Sequence, residues 1–497
     1  MSKVATVGRA NKQRKRSKKK KKKGFLDLPT ELQSRVFSLV TDIAQKLDLE
    51  SVCTSFLQLS QSPHSWRGIH TLQLSLNCTY MGPSFFQARV PFLYDCAASR
   101  ERPISLNGFS IPIERWPKAV AALLARTTIH RLIVHVGGYN KQMPEMAELV
   151  QLFECQSSKL KLRYVEFHRA FTSTNADEVV FKAIDICRSD ILTLALVDTV
   201  GPFHNFGELK STESEVFAEK ALRAITGLSS LQSVTLAGGV TGLDYDTVQS
   251  KIVAALRGKP LATLQLLGPY GDWFGLDQLS ELLEGSSVGV GSLLLSHFTA
   301  TQPFRAVTLK ELHQSLSERC RLALTSLSIF ERYGEENNVS PELPHLGSLF
   351  PNLTSFTTFA GDDKSSVEGS FLPILQSTLE LLSSDEKKRT IKFEFVYVED
   401  RASFIERLRD TVVAAAATIA FATESDDLSA VCPIVITKGN VRLCIDDIKL
   451  TDIEDSFLDS DYEPDDFWDE YDLDFPSDDG EEDFYEDDYD ADDEFFP

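Results

Sequence analysis

One pattern constrains this chain before any other. A short stretch of the form apolar-x-x-apolar-x-apolar recurs at 69–74, 129–134, 162–167, 191–196, 231–236, 261–266, 290–295, 324–329 and 353–358. Self-similarity at a period of 20 to 50 residues is the signature of repeat architectures. The closing positions, from Leu74 to Thr358, are mostly 29 to 40 residues apart, with one double step between Leu74 and Val134. Pro103 to Leu106 bisects that step, and Ile391 to Phe393 extends the series by 35, which makes about eleven units. The intervening segments have helical character. Val248, Ile252, Ala255 and Leu256 share one face ahead of Gly258, and Thr308 with Glu311 forms a capping-box pattern before a Leu309, Leu312, Leu316 stripe.

A strand, a helix and another strand within thirty residues make a parallel, right-handed crossover. One such unit cannot cover its own apolar faces, whereas stacked units join them into a continuous core. The sequence therefore predicts an α/β fold, a βα solenoid with parallel strands. The competing arrangement is an ordinary doubly wound sheet; a step held over some 320 residues favours the solenoid. Beyond Asp400 the repeat fades into a predicted helix over 404–422 and strands at 434–437 and 441–445, read as a cap spanning 401–445.

Charge is concentrated at the ends. Residues 1–24 hold twelve Lys or Arg and no acid, and 446–497 hold twenty-six acids and one base, Lys449. Removing a +12 arm and a −25 tail from a chain of −22 leaves −9 for the middle, so the acidity says little about the folded body. Both ends are predicted to be disordered, the tail with interleaved aromatics such as Phe467, Trp468 and Tyr485. Arg14, Lys15, Arg16, Lys18, Lys19, Lys20, Lys21, Lys22 and Lys23 form a candidate nuclear-import signal, with a nucleic-acid contact or a solubilising arm as alternatives. The basic start lacks the apolar core of a signal peptide, and the longest apolar run, Val412 to Ala422, is too short for a bilayer. Eight widely spaced cysteines without a CxxC pair suggest neither a disulfide framework nor a zinc site. The expectation is a soluble chain in a reducing compartment, nucleus or cytoplasm, with no membrane partner, no cofactor and no metal.

After Gly24 the sequence changes at once. Pro29 suits a first helical position before Leu32, Val36 and Leu39, and Asp48 is placed to cap a second helix carrying Leu49, Val52, Cys53, Phe56 and Leu59 on one stripe. Leu28-Pro29, Glu31-Leu32, Val36-Phe37, Leu49, Val52-Cys53, Phe56 and Ser65-Trp66-Arg67 fall in the order and nearly the spacing of the F-box family, which residues 25–68 therefore resemble. The loop from Thr41 to Leu47 departs from the family pattern by one residue, and Phe56 stands where Trp is common. The resemblance implies an adaptor-binding surface at Leu28, Pro29, Leu32, Val36, Leu49, Val52, Cys53, Phe56 and Trp66. It further implies a Skp-type adaptor and, through it, a cullin as partners. The body, 69–400, is leucine-rich-repeat-like, and in such F-box proteins it receives a protein substrate for an SCF-type ubiquitin ligase.

In a solenoid the strand residues that alternate with the buried ones face outward. His135, Tyr164, Glu166, His168, Gln265, Ser296, Phe330, Phe359, Lys392 and Glu394 are on this reading a candidate substrate-contact surface. No catalytic constellation stands out. Gly285-Ser-Ser-Val-Gly289 matches G-x-S-x-G, but a helix running into a strand is the reverse of the strand-turn-helix order of a nucleophile elbow. No P-loop or dinucleotide fingerprint occurs, so neither enzymatic activity nor a small-molecule substrate is expected. The alternative reading is a nuclear chromatin or transcription scaffold that works without ubiquitylation, its acidic tail engaging basic partners.

Overall fold

The computed structural model describes residues 25–40, 43–66, 69–76, 103–107, 112–136, 143–169, 175–198, 210–238, 245–267, 276–296, 308–330, 341–362, 371–398, 400–421 and 433–450. The basic arm with its import candidates and the chain beyond residue 450 lie outside the described residues. The chain divides into two units, Met1–Lys449 and Leu450–Pro497. No helix among the described residues is long and apolar enough to cross a membrane.

The strands are β1 (Thr71–Leu76), β2 (Pro103–Asn107), β3 (Ile129–Val136), β4 (Leu160–Arg169), β5 (Thr193–Asp198), β6 (Ser233–Gly238) and β7 (Thr263–Leu267). They continue with β8 (Ser292–Ser296), β9 (Ser326–Phe330), β10 (Ser355–Asp362), β11 (Arg389–Val398), β12 (Thr418–Phe421), β13 (Ile434–Lys438) and β14 (Val441–Leu450). All belong to one sheet in the order β12-β13-β14-β11-β10-β9-β8-β7-β6-β5-β4-β3-β1-β2. From β1 to β11 every described pairing is parallel.

The register explains the periodicity. Leu74, Val134, Phe167, Leu196, Leu236, Leu266, Leu295 and Ile329, the closing residues of successive stretches, are paired strand to strand across the sheet. Each is buried, and helix residues such as Leu123, Leu149, Val180, Ile225, Ile252 and Leu282 share their core. Fully burying one such side chain stabilises by about 1.5–3 kcal/mol, and every repeat adds several to the same core. The strand entrances repeat as well. One carbonyl accepts two successive amides of the next repeat: Leu192 from Gln232 and Ser233, Gln232 from Ala262 and Thr263, Ala262 from Gly291 and Ser292. Gly258 closes the helix Tyr245–Leu256 at φ 79°, in the left-handed region that a side chain disfavours. The body is thus a leucine-rich-repeat-like βα solenoid.

Three expectations need correction. First, β2 does not sit between β1 and β3. Leu72 pairs with Ile104 on one side and Leu132 on the other, so β2 is the sheet's edge strand and the double step carries no repeat in spatial order. Periodicity reports spacing along the chain and is blind to a strand laid back against its predecessor.

Second, the helix expected over 404–422 is Arg401–Ala414, and Thr418–Phe421 is a strand paired antiparallel with β13. The alanine run favours helix, but Thr418, Ile419 and Phe421 are β-branched or aromatic and complete the edge of a β12-β13-β14 meander. The helix stops where Ala417 N donates to Val412 O and Ala416 N to Val413 O, with Ala416 at φ 51°. Those bonds make a Schellman motif whose left-handed position normally holds glycine. Replacing Ala416 by glycine is expected to stabilise the protein by about 1 kcal/mol in chemical denaturation; an unchanged or lowered midpoint contradicts this.

Third, β14 runs past Ile445 to Leu450, so Asp446 and Asp447 belong to the sheet and not to the acidic tail. Asp446 Oδ2 lies 2.8 Å from Lys392 Nζ, and Asp447 Oδ1 lies 3.6 Å from Arg401 Nη2.

Candidate functional site

The N-terminal unit comprises α1 (Thr30–Ser38), α2 (Ile43–Val52), α3 (Thr54–Gln61) and a 3-10 turn, Pro63–Trp66. Pro29 precedes α1 at φ −54°, the value its ring enforces. Asp48 lies inside α2 and does not cap it. The single stripe expected from Leu49 to Leu59 is split at Cys53, which is extended at φ −164° and precedes α3.

Helix α1 is inside out by composition. It turns Phe37, Gln33 and Ser34 inward, with Phe37 1% exposed, while Leu32, Val36 and Leu39 remain 46%, 43% and 51% exposed. At 100° per residue those three lie within an arc of about 60°, one face of the helix. Leu28 and Pro29 just ahead, Val52 at the end of α2 and Leu57 on α3 are exposed as well. Six of the ten large apolar side chains exposed among the described residues thus fall between Leu28 and Leu57. Leu49, Cys53 and Phe56 are half-buried; Phe56 stacks on Phe25 with centroids 5.5 Å apart.

Trp66 departs from the expected surface. It is 1% exposed, its Nε1 donates to Ser60 O at 2.6 Å, and Arg126 Cζ stands 5.5 Å from its ring. Arg126 also donates to Ser60 O and pairs with Glu50 at 3.0 Å. Trp66 is therefore the joint between the helical unit and the helix Trp116–Arg126, and contributes no contact area. Family order identified the residue type, but only three-dimensional packing reveals which way it turns.

Beneath α1, Lys46 is completely enclosed, its Nζ donating to Ser65 O at 3.2 Å and lying 4.5 Å from the Trp66 ring centroid and 5.4 Å from that of Phe37. Burial pushes its ammonium down to about 8. The unfolded chain keeps Lys46 protonated to about pH 10.4, so between those values the unfolded state binds the extra proton and stability rises with pH. Below about pH 8 the group is charged in both states, and the burial penalty stands at roughly 3 kcal/mol, offset in part by the two aromatic faces. Replacing Lys46 by methionine is expected to raise the melting temperature at pH 7 and to remove the rise in stability between pH 8 and 10. Parallel stability-pH curves for the two proteins would contradict it.

The second place of interest is the sheet face opposite the helices. His135 and His168 are paired across β3 and β4, and Glu166 lies two residues before His168 on the same face. The imidazoles meet edge to face at 4.6 Å. His168 Nε2 lies 2.7 Å and His135 Nε2 3.5 Å from the same Glu166 Oε1, and the Tyr164 hydroxyl donates to Glu166 Oε2. Arg131 Cζ sits 4.4 Å over the Tyr164 ring. Burial lowers the His135 imidazole's affinity for a proton, favouring its neutral form. Burial alone would raise the Glu166 carboxyl, but hydrogen bonds from His135 and His168 outweigh it and hold the group well below the usual carboxylate range.

The expected solvated contact surface therefore fails at His135, Glu166, His168 and Glu394, all buried. Parallel register places His135, Glu166 and His168 against one another on β3 and β4, while Glu394 on β11 pairs with Lys392. Tyr164, Gln265 and Lys392 are half-buried and engaged, Gln265 accepting from Thr235 Oγ1 at 2.8 Å. Burial alone would lower the Lys392 ammonium, but Asp446 and Glu394 hold it above its ordinary value. Ser296 and Phe330 occupy matching positions on β8 and β9, and Phe359 lies at a register shift in β10. Ser287 of the G-x-S-x-G match sits in a turn between the helix Leu276–Gly285 and β8, helix before strand as its sequence context implies.

No protein-family model matches the chain, and no curated protein matches it. Among solved structures it is similar to the leucine-rich repeat-containing protein LegL7 from Legionella pneumophila, at 15% identity and a TM-score of 0.33 over 62% of this chain and 90% of that one.

Proposed function

We propose that the chain is an F-box-type substrate receptor of an SCF-type ubiquitin ligase in the nucleus or cytoplasm. The face of α1 docks a Skp-type adaptor, and the solenoid holds a protein substrate. The observation that carries this reading is the outward stripe of Leu32, Val36 and Leu39 on a helix whose inward face includes Gln33 and Ser34. An isolated chain gains nothing by exposing three large aliphatic side chains on one helix face; a partner's groove gives them a place to be buried. The F-box resemblance of residues 25–68 includes Leu32 and Val36 of this stripe. The test is co-elution in gel filtration of the purified chain with a Skp-type adaptor and a cullin. A three-component peak is expected, and its loss on converting Leu32 and Val36 to aspartate. Separate elution of the unaltered chain and adaptor would overturn the reading.

A further inference from the structure

Residues 33 apart in the sequence meet on the sheet face opposite the helices, in a group the adaptor-docking reading does not use. We propose that His135, Glu166 and His168 bind one divalent transition-metal ion, zinc foremost, through His135 Nε2, His168 Nε2 and a Glu166 carboxylate oxygen. The three candidate ligand atoms lie within 4.8 Å of one another. Zinc bonds of about 2.0–2.2 Å in tetrahedral geometry hold their ligands roughly 3.3 Å apart. The observed separations from Glu166 Oε1, 2.7 Å to His168 and 3.5 Å to His135, bracket that value.

The donor set is chemically apt. Two imidazole nitrogens and one carboxylate suit zinc and related first-row ions, and no thiolate takes part. A neutral imidazole that coordinates through Nε2 carries its ring proton on Nδ1. Tyr164, whose hydroxyl donates to the other Glu166 oxygen, is a positioning residue that fixes the carboxylate's orientation. The ligands stand on two adjacent parallel strands, a rigid platform that leaves a fourth coordination position for a water molecule.

The test uses the full chain stripped with a chelator and titrated with zinc chloride in the presence of a competing chelator, which hides weak binding to exposed acids. One tight site is expected, weakened at least about ten-fold by His135→Asn and about ten-fold by Tyr164→Phe. Cobalt substitution is expected to produce a four- or five-coordinate visible spectrum without a thiolate charge-transfer band. Circular dichroism verifies that the variants fold. Should His135→Asn unfold, X-ray absorption on the zinc-loaded unaltered chain decides, with scattering from two imidazoles expected. Absence of a tight site, equal affinity in folded variants, a thiolate band or absence of imidazole scattering would each overturn the proposal and leave a purely hydrogen-bonded polar cluster.

Discussion

Truncating Leu32, Val36 and Leu39 together to alanine is expected to weaken adaptor binding by at least about 100-fold, about 2.7 kcal/mol, while the melting temperature stays within a degree or two. The two halves of this outcome have separate causes. All three side chains are about half exposed in the free chain, so shortening them opens no enclosed cavity. In a complex each would leave water on one helix face, and anchors of this kind carry most of an interface's energy. A binding titration paired with a thermal melt checks it. Unchanged affinity, or a large drop in melting temperature, would show that the face is not a free docking surface.

Trp66→Ala is expected to give the opposite signature, a loss of about 3–5 kcal/mol in stability confined to the N-terminal unit and its junction with the helix Trp116–Arg126. The substitution empties the space enclosed by Lys46, Arg126 and Ser60, and leaves buried Lys46 without its nearer aromatic face. Adaptor binding would weaken too, but only because α1 loses its support. Trp66→Phe separates the effects: it fills most of the volume, lacks the indole N–H that donates to Ser60 O, and should lose about 1–2 kcal/mol with adaptor affinity nearly intact. Limited proteolysis with mass mapping reads this out. A Trp66→Ala chain as resistant as the parent between residues 25 and 66 would contradict the structural role.

The repeat body was legible because its signal is one-dimensional. The closing residues of the apolar stretches are the ones that the structure pairs in a single ladder from Leu74 to Ile329. What periodicity does not encode was lost. It does not say that β2 folds back to the edge, that the alanine-rich run ends in a left-handed residue and a strand, or that Cys53 breaks the stripe between α2 and α3. For the proposed docking face, the apolar residue types are legible in the sequence; that Leu32 and Val36 point out and Trp66 points in follows from packing alone. The His135, Glu166, His168 cluster joins residues of two repeats, a spacing that no local metal-ligand motif has. A signal was nonetheless present: His135 and His168 each follow the closing residue of adjacent repeats, Val134 and Phe167, and parallel register makes equal phase equal position.

Hydrogen exchange on the full chain with and without purified Skp-type adaptor tests the central claim most directly, because it locates the interface without altering a residue. Amides of α1 and of the α2–α3 junction at Cys53 are expected to slow on binding, while those of β3 to β10 keep their free-state rates. Unchanged exchange across residues 28–57 at saturating adaptor, or protection confined to the solenoid, would contradict it.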